Sequence, residues 1–214
     1  MTSRTKKTKN ILIILALLLL AVVGATIAYF TNRTDFKNEF HVSKPGAAVV
    51  ERFNPADHWV PGEEKSKEVW FVNSGEADML LRFKVDASWA EGYEPKNAAG
   101  EKADPLPDIW EKNIITLNWN GSGIENFSEI TDSAGTYYYY KKVLKAGEST
   151  DKILESVTFS SNLSNDDHTG INYSESQINL TITGETVLAD PDAALKQWKM
   201  KAGIDADNVT WTAD

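Results

Sequence analysis

The stretch "HWVPGEEKSKEVWFVNSGEADMLLRFKV", residues 58–85, decides the fold class. Leu81, Phe83 and Val85 alternate with Arg82 and Lys84, the period of a half-buried strand, whereas a helix repeats near every third or fourth residue. Strands are expected near 67–73 and 78–88, with Trp70 and Phe71 pointing to opposite faces. Pro61 and Gly62 supply a turn before the first, and Asn73, Ser74 and Gly75 a loop between the two.

Working outward, further strands are expected near 35–42, 47–53, 114–119, 136–144, 152–161 and 176–188. Eight strands with turn-rich joints predict an all-β, antiparallel sandwich, and 214 residues suit one such core. In the strand with Tyr137 to Tyr140, two rings fall on each face, one pair in the core and the other exposed or at a subunit contact. The segment 90–113 carries Pro95, Pro105 and Pro107, which excludes a central strand and predicts a surface loop with a helical turn near Asp108 to Lys112. A polar loop, "SNLSNDDHTG", precedes the last strand. A helix is expected near 190–202: Asp190 caps it, Pro191 opens it, and Lys196, Lys199 and Lys201 crowd its end before Gly203. Its face of Ala194, Leu195 and Trp198 predicts that Trp198 docks on the sandwich.

The N-terminus reads as an address. Arg4, Lys6, Lys7 and Lys9 precede an unbroken apolar run from Ile11 to Ala28, the order of a secretory signal. Thr26 and Ala28 supply the small residues of a cleavage site, so residues 1–28 are expected to be removed, leaving Tyr29 as the first residue. An uncleaved membrane anchor is the alternative, since about 18 apolar residues can span a bilayer. Either way the body is expected outside the cytoplasm, secreted or at the cell surface. The C-terminus shows no wall-sorting signal, so something else is expected to hold the chain there.

Without residues 1–28 the chain carries 18 basic groups against 31 acidic ones, a net charge of −13. A body that acidic repels nucleic acid and anionic lipid, so neither is expected as a partner and the membrane is met only through the uncleaved signal. There is no cysteine, which removes disulfides, thiol nucleophiles and thiolate metal sites.

Behind the signal comes "IAYFTNRTDFKNEFHV", residues 27–42. Phe36, Phe40 and Val42 share one face, interrupted by Asn38, while Asp35, Lys37, Glu39 and His41 share the other. Such a strand beside a new N-terminus either opens its own sandwich or is donated to the groove of a neighbouring copy. Both readings stay open at this level.

Four pieces in order, "GATIAYFTNRTDF", residues 58–85, "TYYYYKKVLKAGESTDKILESVTF" and "INLTITGETVLADPDAALKQW", give the chain a resemblance to a family. It resembles the TasA, camelysin and BsaA group of exported biofilm-matrix proteins of Gram-positive bacteria, and the BsaA-like branch most. The resemblance spans most of the chain and implies a jelly-roll-like sandwich, cleavage by a signal peptidase of the SipW type, and a homopolymer built through the N-terminal strand. It implies residues 29–43 as the donor-type strand, with Phe30, Phe36, Phe40 and Val42 as the self-assembly residues, and 44–214 as the sandwich domain. Other matrix components are implied as partners.

The camelysin branch carries a metallopeptidase label, which makes zinc a question. His41, His58 and His168 are far apart and no HExxH motif occurs, so neither a metal site nor a catalytic residue is expected. "SNDDHTG" and "DADNVTW" are read as solvated loops with at most weak calcium binding, and no cofactor is expected. "NGSGI" lacks the nucleophile-elbow pattern, and Glu94 interrupts the pilin-like lysine motif in "YEPKN", leaving Lys96 a loop lysine. The expected function is therefore a non-enzymatic fibre subunit. Its rival is a carbohydrate-binding or adhesive module, suggested by Trp59, Trp89, Trp110 and Trp211 in or beside loops.

Overall fold

A computed structural model describes residues 32–34, 47–53, 62–133, 135–161, 163, 170–173 and 176–214. The residues at the expected cleavage site, Thr26, Ala28 and Tyr29, the self-assembly residues Phe30, Phe36, Phe40 and Val42, Trp59, Pro61 and all three histidines lie outside the described residues.

The fold is antiparallel and mostly β. The strands are β1 (Asn32–Thr34), β2 (Ala47–Phe53), β3 (Glu64–Asn73), β4 (Met79–Trp89), β5 (Ile115–Trp119), β6 (Phe127–Asp132), β7 (Gly135–Tyr140), β8 (Leu154–Phe159), β9 (Ile178–Leu188), β10 (Met200–Asp205) and β11 (Asn208–Ala213). Among the described residues two short helices, α1 (Gly121–Ile124) and α2 (Pro191–Trp198), interrupt them. One sheet runs β1-β9-β4-β7-β6, a second runs β2-β3-β8-β5, and β10 and β11 form a separate hairpin.

The two strands of the opening stretch belong to different sheets: β3 to the four-stranded one and β4 to the five-stranded one. Asn73 makes the corner between them. Fully buried, it donates its side-chain amide to the carbonyls of Ala77 and Leu144 and accepts from the Gly75 N–H. Between the sheets lies the main core, with Val69 and Phe71 of β3, Leu81 and Phe83 of β4, Ile115 of β5, Leu154 and Val157 of β8 and Ile182 of β9. Phe83 stacks on Tyr138 at 4.8 Å and meets Phe127 edge-on at 5.1 Å.

A second core covers the other face of the five-stranded sheet. Leu80, Tyr137, Tyr139 and Val187 meet Ala194 and Trp198 of α2 and Met200, Ala202 and Val209 of the hairpin. Trp198 thus docks as its spacing predicted, but three expectations change. The Tyr137 and Tyr139 pair is neither exposed nor at a subunit contact, because α2 and the hairpin cover it. The helix ends at Trp198, before 202: Lys199 takes a left-handed cap at φ 56°, and Gly203 lies inside β10. "DADNVTW" is the turn and second strand of that hairpin, with Ala206 at φ 52° and Asp207 paired to Lys145 at 2.6 Å.

Strand β6 and the β10–β11 hairpin add to the expected set. β7 stops at Tyr140, where the chain turns to the hairpin: the Val143 N–H donates to the Asp207 carbonyl and the Val209 N–H to the Lys141 carbonyl, each at 2.8 Å. The turn at Asp108 forms as expected, its carboxylate accepting from the N–H groups of Trp110 and Glu111.

Candidate assembly edge

Strand β9 is where the front of the chain meets the body. Its alternation in "INLTITGETVL" gives it two faces, and eleven register pairs with β4 fix it on one side. On its other side β1 pairs through Asn32, Arg33 and Thr34, opposite Thr186, Glu185 and Gly184. β1 falls within the expected front segment 29–43, ahead of the strand expected at 35–42, which is outside the described residues.

The inner face of β9 changes along its length. Ile182 is buried in the main core, whereas Ile178 and Leu180 are only half-buried, as are their register partners Trp89 and Ala87 on β4. Beside β1, the Thr186 hydroxyl is buried without a hydrogen-bond partner among the described residues.

The outer face carries a charged pair instead. Arg82 donates from Nε and Nη2 to the same oxygen of Glu185, Oε2, at 2.9 and 2.6 Å. Its Nη1 donates to the Tyr139 hydroxyl at 3.0 Å. The guanidinium lies 4.0 Å from the Tyr137 ring centre and 4.8 Å from that of Trp198, so two aromatic faces close over it. Burial pushes the Tyr139 hydroxyl up from its ordinary pKa, while the Arg82 hydrogen bond and charge act the other way. No local pattern in the sequence marks Arg82 and Glu185, which are 103 residues apart and share no motif.

Two of the four tryptophans expected at a sugar surface are committed elsewhere. Trp211 donates its indole N–H to the Tyr140 carbonyl at 2.8 Å and packs on Tyr139. Trp89 donates to the Pro107 carbonyl at 2.9 Å and lies 6.1 Å from Tyr173. Trp110 and Tyr93, 39% and 50% exposed, are the large aromatics left open to solvent among the described residues. A shallow cleft of about 430 Å³ lies at Trp89, Pro107 and Ile109, rimmed by Glu91, Asp108 and the Glu94–Lys102 ion pair. Lys102 holds the Glu94 carboxyl below its usual range. Lys96 is tied by its backbone to Asn172.

In "NGSGI", Asn120 caps α1 and Gly123 lies so close to the Lys152 carbonyl that an added Cβ would approach it to 1.8 Å. The motif serves a close backbone approach. Among the described residues no group of His, Asp or Glu is arranged to hold a metal ion.

No family model, curated protein sequence or solved structure matches the chain.

Proposed function

We propose that this chain is an exported structural subunit of extracellular fibres, a non-enzymatic sandwich of the jelly-roll kind, joined head to tail by donating its front strand to the β9 edge of the next copy. The observation that supports this most is the placement of β1 as the terminal strand of its sheet among the described residues, where it is hydrogen-bonded to β9 alone. Continuing the same register along the sequence would set position 36 opposite Ile182 and position 40 opposite Ile178. Phe36 and Phe40 would then join the core face just where β9 is least covered. A head-to-tail contact that does not close on itself yields filaments. Export, with removal of residues 1–28 by a SipW-type signal peptidase, would free the strand only outside the cell.

The test is light scattering with negative-stain microscopy on residues 29–214 and on its Phe36→Asp and Phe40→Asp variants. The parent is expected to form filaments and the variants to remain folded monomers, and a synthetic peptide of residues 29–43 should shorten the parent's filaments. Variants that unfold would assign the strand to its own sandwich. Trp110 and Tyr93, exposed and next in sequence to the cleft residues Ile109 and Glu94, support a second reading as a surface carbohydrate-binding module. Retention on a polysaccharide matrix that Trp110→Ala abolishes would favour it.

A further inference from the structure

Glu185 stands in register between two arginines. Antiparallel pairing sets it opposite Arg33 of β1 on one side and Arg82 of β4 on the other. Residues paired on neighbouring strands share a face, so Arg33, Glu185 and Arg82 form one row across three strands. We propose that this row is a register key: Arg33 reads the Glu185–Arg82 pair and fixes the frame in which the front segment enters the β9 edge of a second copy. The proposal rests on the reading of β9 as acceptor and adds the residue that makes the entry specific.

The alternatives show why one charge can do this. A slip of one residue turns every side chain of the entering strand to the wrong face. A slip of two in one direction sets Arg33 opposite Thr183, whose partner on β4 is Lys84, so a cation meets a cation's row. The opposite slip sets Arg33 opposite Val187, beside Leu80, both buried beneath α2 and the hairpin. That slip also brings the acidic position 35 into the row of Glu185. Of the frames within two residues, only the observed one sets Arg33 in a row with a carboxylate.

The chain has no cysteine, so engineered pairs read the register directly. Asn32→Cys with Thr186→Cys reports the observed frame and Asn32→Cys with Leu188→Cys the slipped one, with Thr186 giving up only a hydroxyl that has no partner among the described residues. Oxidation is followed on non-reducing gels, both within the doubly substituted chain and between two singly substituted copies of different size. The first pair is expected to cross-link strongly and the second weakly. Arg33→Lys should keep that pattern, while Arg33→Glu should cut the first cross-link roughly fivefold and raise the second. Circular dichroism melting checks that each variant is folded.

If Arg33→Glu cross-links as the parent does, the key is overturned. If the doubly substituted chain closes on itself and separate copies never join, assembly between copies fails while the Arg33 series still reports on the key. No cross-link in any arrangement would overturn the pairing and the key together.

Discussion

The two faces of the five-stranded sheet are closed by different physics. The inner face meets the second sheet through aliphatic side chains and aromatic rings, with Phe83 in contact with Phe71, Phe127 and Tyr138. The outer face meets α2 and the β10–β11 hairpin through a mixed surface in which Arg82, paired to Glu185, lies under Tyr137 and Trp198. Apolar burial has no direction and tolerates sliding. A buried guanidinium must find its carboxylate and rings in one geometry, so the helix and hairpin are held at one place on the sheet.

The sharpest way to break this contrast is on the inner side. Phe83 is fully buried and within ring contact of Phe71, Phe127, Tyr138 and Trp119. Phe83→Ala is expected to cost about 3–5 kcal/mol in urea denaturation, enough to leave a marginal domain unfolded. A much smaller loss would mean that the rings can close over the space.

On the outer side, Glu185→Gln leaves Arg82 enclosed without its counter-charge, and both side chains are nearly nine-tenths buried. The expected cost is about 3 kcal/mol, the lower end for breaking a buried pair. Replacing both partners together, with Arg82→Met and Glu185→Leu, should cost less than the single change, because no unpaired charge remains. A single-variant cost under about 1 kcal/mol would place the pair with exposed ones and erase the contrast between the faces.

The same contrast explains what the sequence showed. Strands β3, β4, β8 and β9 face the main core on one side, so their pattern was legible and their expected ranges stand within a few residues. β6 was hidden because it serves both cores: Phe127 pairs with Tyr140 toward the inner one and Ile130 with Tyr137 toward the outer, which breaks the alternation. The four tyrosines misled for the same reason, since nothing local says that a distant hairpin covers their second face. Met200, Ala202 and Ile204 did alternate, yet three lysines and Gly203 imitated a helix end. The candidate edge was half legible. Its entering strand showed its amphipathic face, but the acceptor row at Glu185 exists only once β1, β9 and β4 lie side by side.

The gentlest probe is alkaline pH, which separates the tyrosines of the two faces. Burial first, and then the nearby Glu129 carboxylate, push the Tyr138 hydroxyl up to about 12, and burial also raises Tyr140. A phenol that holds its proton more tightly when folded stabilises the fold fully below its unfolded pKa of about 10, and that contribution fades as pH rises to about 12. Stability should therefore decline across that window, with phenolate absorbance near 295 nm rising together with unfolding. Tyr139 differs because Arg82 favours its ionised form, so Arg82→Gln should delay its titration and leave Tyr138 unchanged. Phenolate signals that all appear near pH 10 in a folded chain would mean that water reaches the inner face along β7. In that case the main core would close less tightly than its ring contacts require, and the difference between the two faces would lie in the buried ion pair alone.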